Sequence, residues 1–212
     1  MLQLLTNDFE NLDKNKRTNL INCLSGLRAA NLIGTINNNG VSNLAIFNSV
    51  NHIGANPPLM GFIQRPASVE RHTYENIKNT GCFTINHVNQ NIYKQAHQTA
   101  ARFNENESEF EKTGLNEYYS NIIKAPYVAE SLVKIGLNFE EEILIKSNNT
   151  ILVIGSVVEL IINEEYLTED YLIDLGKTKS VAVQGLETYY SANLIATLPY
   201  SKPNLNILKP EN

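Results

Sequence analysis

Cysteine is scarce in this chain: only Cys23 and Cys82 occur among 212 residues. They show neither metal-ligand spacing nor a redox-pair motif, so a disulfide scaffold is not expected and a reducing, cytoplasmic setting is. Charge is sparse as well, at 18% of residues, with a net value of -5. A general nucleic-acid or membrane-surface binder needs the opposite sign, and neither is expected, although a small local basic site stays open. No apolar run approaches the length of a membrane-spanning helix. The start, MLQLLTNDFENLDKNKRTN, lacks a basic stretch followed by a long apolar core, so no secretory signal is read. His52, His72, His87 and His97 form no recognisable metal set. No G-x-G-x-x-G follows a strand, which excludes a Rossmann-type dinucleotide site.

What is present is a chain with 42% hydrophobic residues, enough for a real core. Residues 25–203 read as one domain, with an N-terminal arm at 1–24 and a short tail at 204–212. Strands are expected at Ala29–Ile36 and at Val41 to about Ser49, joined by the turn Asn37-Asn38-Asn39-Gly40, whose residues accept positive φ cheaply. After a loop ending in Pro57-Pro58, Leu59–Gln64 reads as a third strand and Cys82–Val88 as a fourth. Leu132–Ile145 alternates through Val133, Ile135, Leu137 and Phe139. Thr150–Ile162 is a β-branched run, reached through a turn at Ser147-Asn148-Asn149. Helices are expected over Ser68–Thr80, stopped by Gly81, over Asn91–Phe103, briefly near Glu109, and from Thr168 onward. Six hairpin-linked strands with peripheral helices predict a mainly β, antiparallel, Greek-key barrel rather than a doubly wound sheet.

Two stretches carry chemistry. Arg65, Ser68, Arg71 and Thr73 lie close together at a strand exit. They offer forked cationic donors, hydroxyls and a nearby helix start, which together suit a phosphate monoester. The same residues also read as a helix cap with solvated arginines. Phe47, Asn48, Ser49, Val50 and Asn51 mix an aromatic ring with short hydrogen-bonding groups, as the edge of a planar heterocycle requires. They read equally as a polar strand end entering a turn. Cys82 reads as a core residue, and Tyr189-Tyr190 as packing residues that could face a ligand or a subunit contact.

The order and spacing of several segments resemble the flavin reductase-like, FMN-binding split-barrel family. The segments are Arg28 to Thr35 (RAANLIGT), Ser42 to Ala45 with Pro57-Pro58-Leu59, Arg65 to Thr73, and Tyr74 to Val88 (YENIKNTGCFTINHV). They continue with Phe110 to Leu115 (FEKTGL), Thr150 to Leu160 (TILVIGSVVEL) and Val183 to Ser191 (VQGLETYYS). The resemblance spans about residues 25 to 203. It implies a six-stranded split barrel with FMN where the second and third strands meet the following helix, near a dimer interface. By position, Phe47 to Asn51 line the ring, Arg65, Ser68, Arg71 and Thr73 surround the phosphate, and Asn86 approaches the flavin. His52 is the histidine nearest that site. Many relatives carry Lys-Asp-Thr where this chain has Arg71-His72-Thr73, so the cation is kept and the acidic cap is not.

The activity implied is NAD(P)H-dependent flavin reduction, with hydride passing from a transiently stacked nicotinamide to flavin N5. The protein holds the ring and needs no acid–base dyad. A non-catalytic flavin carrier serving a redox partner protein, as in flavoredoxins, and a pyridoxamine-phosphate-oxidase-like enzyme share the barrel. A homodimer is expected because the run Ile151–Ile162 is too apolar for an exposed edge.

Overall fold

The structure is a computed structural model that describes residues 1–66 and 68–203. The expected tail at 204–212 lies outside the described residues. The arm forms two short helices, α1 (Thr6–Asn11) and α2 (Lys14–Cys23), with no buried residue in either. Asp13 caps α2 by accepting from the N–H groups of Asn15 and Lys16. Among the described residues, no helix is long and apolar enough to cross a membrane.

The domain's strands are β1 (Arg28–Ala29), β2 (Asn31–Ile36), β3 (Ser42–Phe47), β4 (Asn51–Ala55), β5 (Pro58–Gln64), β6 (Cys82–His87), β7 (Glu117–Tyr118), β8 (Tyr127–Val128), β9 (Val133–Ile145), β10 (Thr150–Ile162), β11 (Val181–Gln184) and β12 (Thr188–Ser191). Its helices are α3 (His72–Thr80), α4 (Tyr93–Gln98) and α5 (Glu109–Thr113). Seven strands form the main sheet in the order β3-β2-β6-β9-β10-β5-β4, and all its pairings are antiparallel. The architecture is the mainly β, antiparallel barrel expected, with one strand more in the main sheet than the six anticipated. The additional strand is β4, in a stretch that reads as loop because Asn, Gly and Pro crowd it; pairing with β5 overrides those preferences.

Among the described residues no ladder joins β3 to β5; a side chain links them instead. Just past β3, the Ser49 hydroxyl donates to the Ile63 carbonyl and accepts from the Ile63 N–H, both at 3.2 Å. The barrel core gathers Ile33, Phe62, Ile77, Phe83, Ile85 and Leu137, all fully buried. Phe47, Phe62 and Phe83 stack edge-to-face along it, with centroids 4.8 and 5.7 Å apart. A second core lies on the other face of β2, under α4, α5 and the β11–β12 hairpin, and includes Leu32, Leu44, Val88, Ala96 and Phe110. Successive residues of a strand face opposite sides, so Leu32 and Ile33 serve different cores and β2 is buried on both faces. Gly34 sits where this packing leaves no room for a side chain: a Cβ there would stand 2.2 Å from the Pro126 carbonyl oxygen.

Four local expectations are corrected. The helix expected from Ser68 begins at His72, with Arg71 at its N-cap and Ser68 in the preceding turn. Its inner face is Thr73, Asn76 and Ile77, while Val69 is exposed. The helix expected through Phe103 ends at Gln98, because the Thr99 hydroxyl bonds the Ala96 carbonyl and turns the chain. No helix starts at Thr168: its hydroxyl accepts from the Leu172 N–H within a turn that holds Tyr171 at φ 60, and Leu167 bridges to Ile173. Finally, the run Ile151–Ile162 is not an edge. Strand β10 lies between β9 and β5. Its apolar excess appears instead as exposed Val158 and Leu160 on the sheet surface, with Ile143 and Leu144 exposed on β9.

Candidate functional site

A cleft of about 620 Å³ opens where the end of β3, the end of β5, the start of α3, the Thr99–Phe103 turn and the β11–β12 hairpin converge. Each wall follows from the local fold. The Ser49–Ile63 bonds draw the exits of β3 and β5 together. The Asn48 amide donates to the Gly185 carbonyl at 2.7 Å, which ties the β11–β12 turn to the strand end. That turn needs Gly185, whose φ is 61. It carries Leu186 and Tyr189 to the cleft. Tyr189 is held by Tyr93 and His97, with its hydroxyl 3.1 Å from His97 Nδ1.

One part of the cleft is strongly cationic. Arg65, Arg71 and Arg102 all line it. Arg71 is pulled below its ordinary pKa, first by partial burial and then by the charges of Arg65 and Arg102, so the three guanidinium groups are electrostatic neighbours. Among the described residues none of the three forms an ion pair. Arg71 is oriented through Nε, which donates to the Pro66 carbonyl at 3.3 Å. Beside them, Thr73 is buried; its hydroxyl oxygen accepts from Asn43, which leaves the O–H to donate. Asn43 and Asn76 both bond Thr35, fixing the floor under the start of α3.

The remainder of the lining mixes polar groups with an apolar surface made by Ala45, Phe47, Ile63, Val183, Leu186 and Tyr189. Two polar groups stand out there. Glu109 is buried and accepts from the Leu44 N–H at 2.9 Å. Burial pushes its carboxyl up, against the opposing pull of its backbone hydrogen bonds and of His72. Gln64 is only 4% exposed, and its Oε1 has no hydrogen-bond partner. An anionic head and a flat, largely apolar body would match these surroundings.

The expected site residues therefore divide. Phe47, Asn48, Ser49, Arg65, Arg71 and Thr73 are brought together around the cleft. Ser49 and Asn48 already use side-chain groups to hold its walls. Val50 packs against the barrel core, Asn51 is exposed and bonds the Ser49 carbonyl, and Ser68 is exposed; none of the three lines the cleft. Asn86 is completely buried away from it. Its amide donates to Leu32 O and Thr84 Oγ1 and accepts from the Val128 N–H, so its hydrogen-bonding groups serve the core. His52 is exposed on β4 and does not line the cleft either, whereas His72 does. His87 is enclosed near the end of β6, where burial lowers its imidazole to about 4.

Sequence reasoning missed Arg102, Gln64 and Glu109. Arg102 lies in a stretch that reads as helix, and Gln64 reads as the last residue of a strand. Nothing local marks either as part of the cleft lining. A buried Glu at the start of a short helix carries no more signal. No group of histidine, cysteine or carboxylate side chains that could hold a metal ion occurs among the described residues.

Residues 28–182 match the family model described as "Flavin reductase like domain". A split-barrel protein of Shewanella frigidimarina NCIMB 400, designated a candidate flavin reductase, superposes with a TM-score of 0.91 at 45% identity; the match covers 95% of this chain and 100% of that one. Component B of nitrilotriacetate monooxygenase from Bacillus cereus superposes at 0.82 with 24% identity, over 93% of this chain and 98% of that one, a likeness of fold. An uncharacterized protein of Aquifex aeolicus is 24% identical over 162 residues, 76% of this chain and 82% of its own length.

Proposed function

Because the chain belongs to the flavin reductase-like family, we propose that it is an FMN-binding flavoprotein that oxidises NAD(P)H and passes the hydride to flavin. The observation that carries this reading is the convergence of Arg65, Arg71 and Arg102 on one part of a cleft whose lining also presents Phe47, Ile63, Leu186 and Tyr189. FMN has a dianionic phosphate on a polyol chain that ends in a flat ring. The donor set suits that group: guanidinium forks and the Thr73 hydroxyl for phosphate oxygens, aromatic and aliphatic surface for the ring.

In this reading Arg65, Arg71 and Arg102 neutralise the phosphate, and Thr73 donates to it. Asn48 and Ser49 fix the wall beside the ring rather than performing chemistry, since their side chains hold Gly185 and Ile63. Phe47, Leu186 and Tyr189 exclude water from part of the ring surface. When bound, FMN supplies acceptance of a hydride or of electrons through its ring. The chain carries no separate dinucleotide-binding motif, so the nicotinamide is held against the flavin at the cleft itself. The protein works as a homodimer in the cytoplasm; exposed Val158, Leu160, Ile143 and Leu144 support a subunit contact on the sheet surface, and the two free cysteines support a reducing compartment.

The test is the visible spectrum of protein reconstituted with FMN, recorded anaerobically before and after NADH or NADPH. Bleaching of the flavin band is expected. A tightly bound flavin that neither nucleotide bleaches would make the protein a carrier fed by a partner. Failure to bind any flavin would overturn the reading.

A further inference from the structure

Gln64 is the last residue of β5, and it shares that strand's inward row with Phe62. Phe62 is fully buried in the barrel core. One step further along, the inward row meets the cleft, and Gln64 is part of its lining. The residue is nearly sequestered from solvent, yet its Oε1 has no partner, and its Nε2 makes only a long contact of 3.4 Å to the Arg65 carbonyl. Gln64 Oε1 is the only buried side-chain polar atom among the described residues left in this state. An unpaired buried acceptor destabilises the folded chain, and such an atom at the wall of a cleft marks where a ligand group is to be received.

Which group it receives follows from position. Arg65, the next residue, belongs to the cationic part of the cleft. Ile63, the preceding one, is bonded to Ser49 at the strand end beside Phe47. Gln64 thus stands between the two parts that the phosphate and the ring occupy in the reading above, on which this inference rests. A phosphate dianion offers no donor to a carbonyl oxygen, and its oxygens would repel one. The polyol between phosphate and ring carries hydroxyls, which both donate and accept. A hydroxyl satisfies Gln64 whichever way its amide is turned, a choice that hydrogen-bond networks alone decide.

We infer that Gln64 is a specificity-determining residue that binds a ribityl hydroxyl of the flavin, so that the cleft selects for the sugar-alcohol chain as well as for the phosphate and the ring. Discrimination of this kind arises because the site's own polar group stays unpaired when the ligand lacks its partner.

Three ligands separate the contributions: FMN, riboflavin (ring and polyol without phosphate) and lumiflavin (ring alone). Each is titrated by fluorescence quenching against the wild type, Gln64→Leu and Gln64→Met. Methionine keeps the length of the side chain without the amide, and carries the test if the leucine variant does not fold. Both variants are expected to lose about tenfold in affinity for FMN and for riboflavin and to leave lumiflavin unchanged. Melting of the ligand-free proteins gives a second readout: removing the orphaned oxygen should leave Gln64→Met at least as stable as the wild type, with a smaller upward shift on adding FMN. An equal loss for lumiflavin, a loss confined to FMN, no loss at all, or a ligand-free Gln64→Met that melts well below the wild type would each overturn the assignment. If the wild type itself quenches none of the three flavins, the flavin reading of the cleft fails, and that result is distinct from any pattern among the variants.

Discussion

The core around Asn86 and the wall of the cleft at Gln64 both bury polar side chains, but they treat them in opposite ways. On the face of β6 turned away from the barrel core, Asn86 is completely buried and uses both ends of its amide. In the cleft, Gln64 has an acceptor with no partner, and Arg65, Arg71 and Arg102 crowd together without an ion pair among the described residues. A satisfied buried polar group stabilises a particular backbone arrangement. Unsatisfied groups and uncompensated like charges are tolerated only where something else completes them. Residue type alone does not tell the two apart, because an asparagine and a glutamine with equal polarity fall on opposite sides.

The contrast can be broken most forcefully at Asn86. Replacing it with leucine strands the Val128 N–H and the Leu32 carbonyl in the core and should cost about 3 kcal/mol of stability. Urea denaturation measures this directly. Flavin affinity of the folded fraction should change little; a selective loss of flavin with normal stability would return Asn86 to the binding site.

Arg65→Ala is the counterpart in the cleft. It removes a charge-assisted contact worth about 1.5–3 kcal/mol, roughly ten- to a hundredfold in FMN affinity. Riboflavin, which lacks the phosphate, should be affected far less, and Arg102→Ala should behave in the same way. Relief of repulsion at Arg71 should leave the melting temperature of the ligand-free protein level or higher. Equal losses for FMN and riboflavin would assign the arginine a structural role.

A smaller effect is expected at Glu109. Burial raises its carboxyl pKa, so the folded protein binds the proton more tightly than the unfolded chain does. Its contribution to stability therefore falls as pH rises from the unfolded carboxylate value, about 4.3, through the raised folded value. Glu109→Gln removes that dependence and still offers an oxygen to the Leu44 N–H. Thermal melts from pH 4 upward should find the variant gaining on the wild type as pH increases, with the difference closing at the acid end. A constant offset would mean that the charge of Glu109 is immaterial.

Ser68→Ala should do least. The hydroxyl is exposed, neither lines the cleft nor caps α3, and its removal should leave the affinities for both FMN and riboflavin unchanged within error. A loss for FMN alone would bring the turn before α3 back to the phosphate.

Local pattern was enough to place most of the barrel. The Asn37–Gly40 turn is closed by Asn37 Oδ1, which accepts from the N–H groups of Asn39 and Val41, and Gly40 takes a φ of 83. Gly81 ends α3 at a φ of 72. Strand β10 has the bounds that its β-branched run indicates. These features depend on neighbours a few residues away, and such preferences are written in consecutive side chains. Strand β4 escaped because its residues are poor strand formers and only the ladder with β5 makes it one. The turn at Thr168 escaped because threonine followed by acidic residues suits a helix start and a side-chain-bonded turn equally.

By itself, then, the sequence determined the antiparallel barrel, the family to which it belongs and the two arginines that precede α3. Only the tertiary structure brought Arg102 to Arg65 and Arg71, hung the β11–β12 hairpin on Asn48, turned Asn86 into the core and left Gln64 unpaired at the cleft wall. The physical reason is range. Turns, caps and alternation are decided within a few residues of chain, whereas the satisfaction of a polar group depends on which distant segment packs against it.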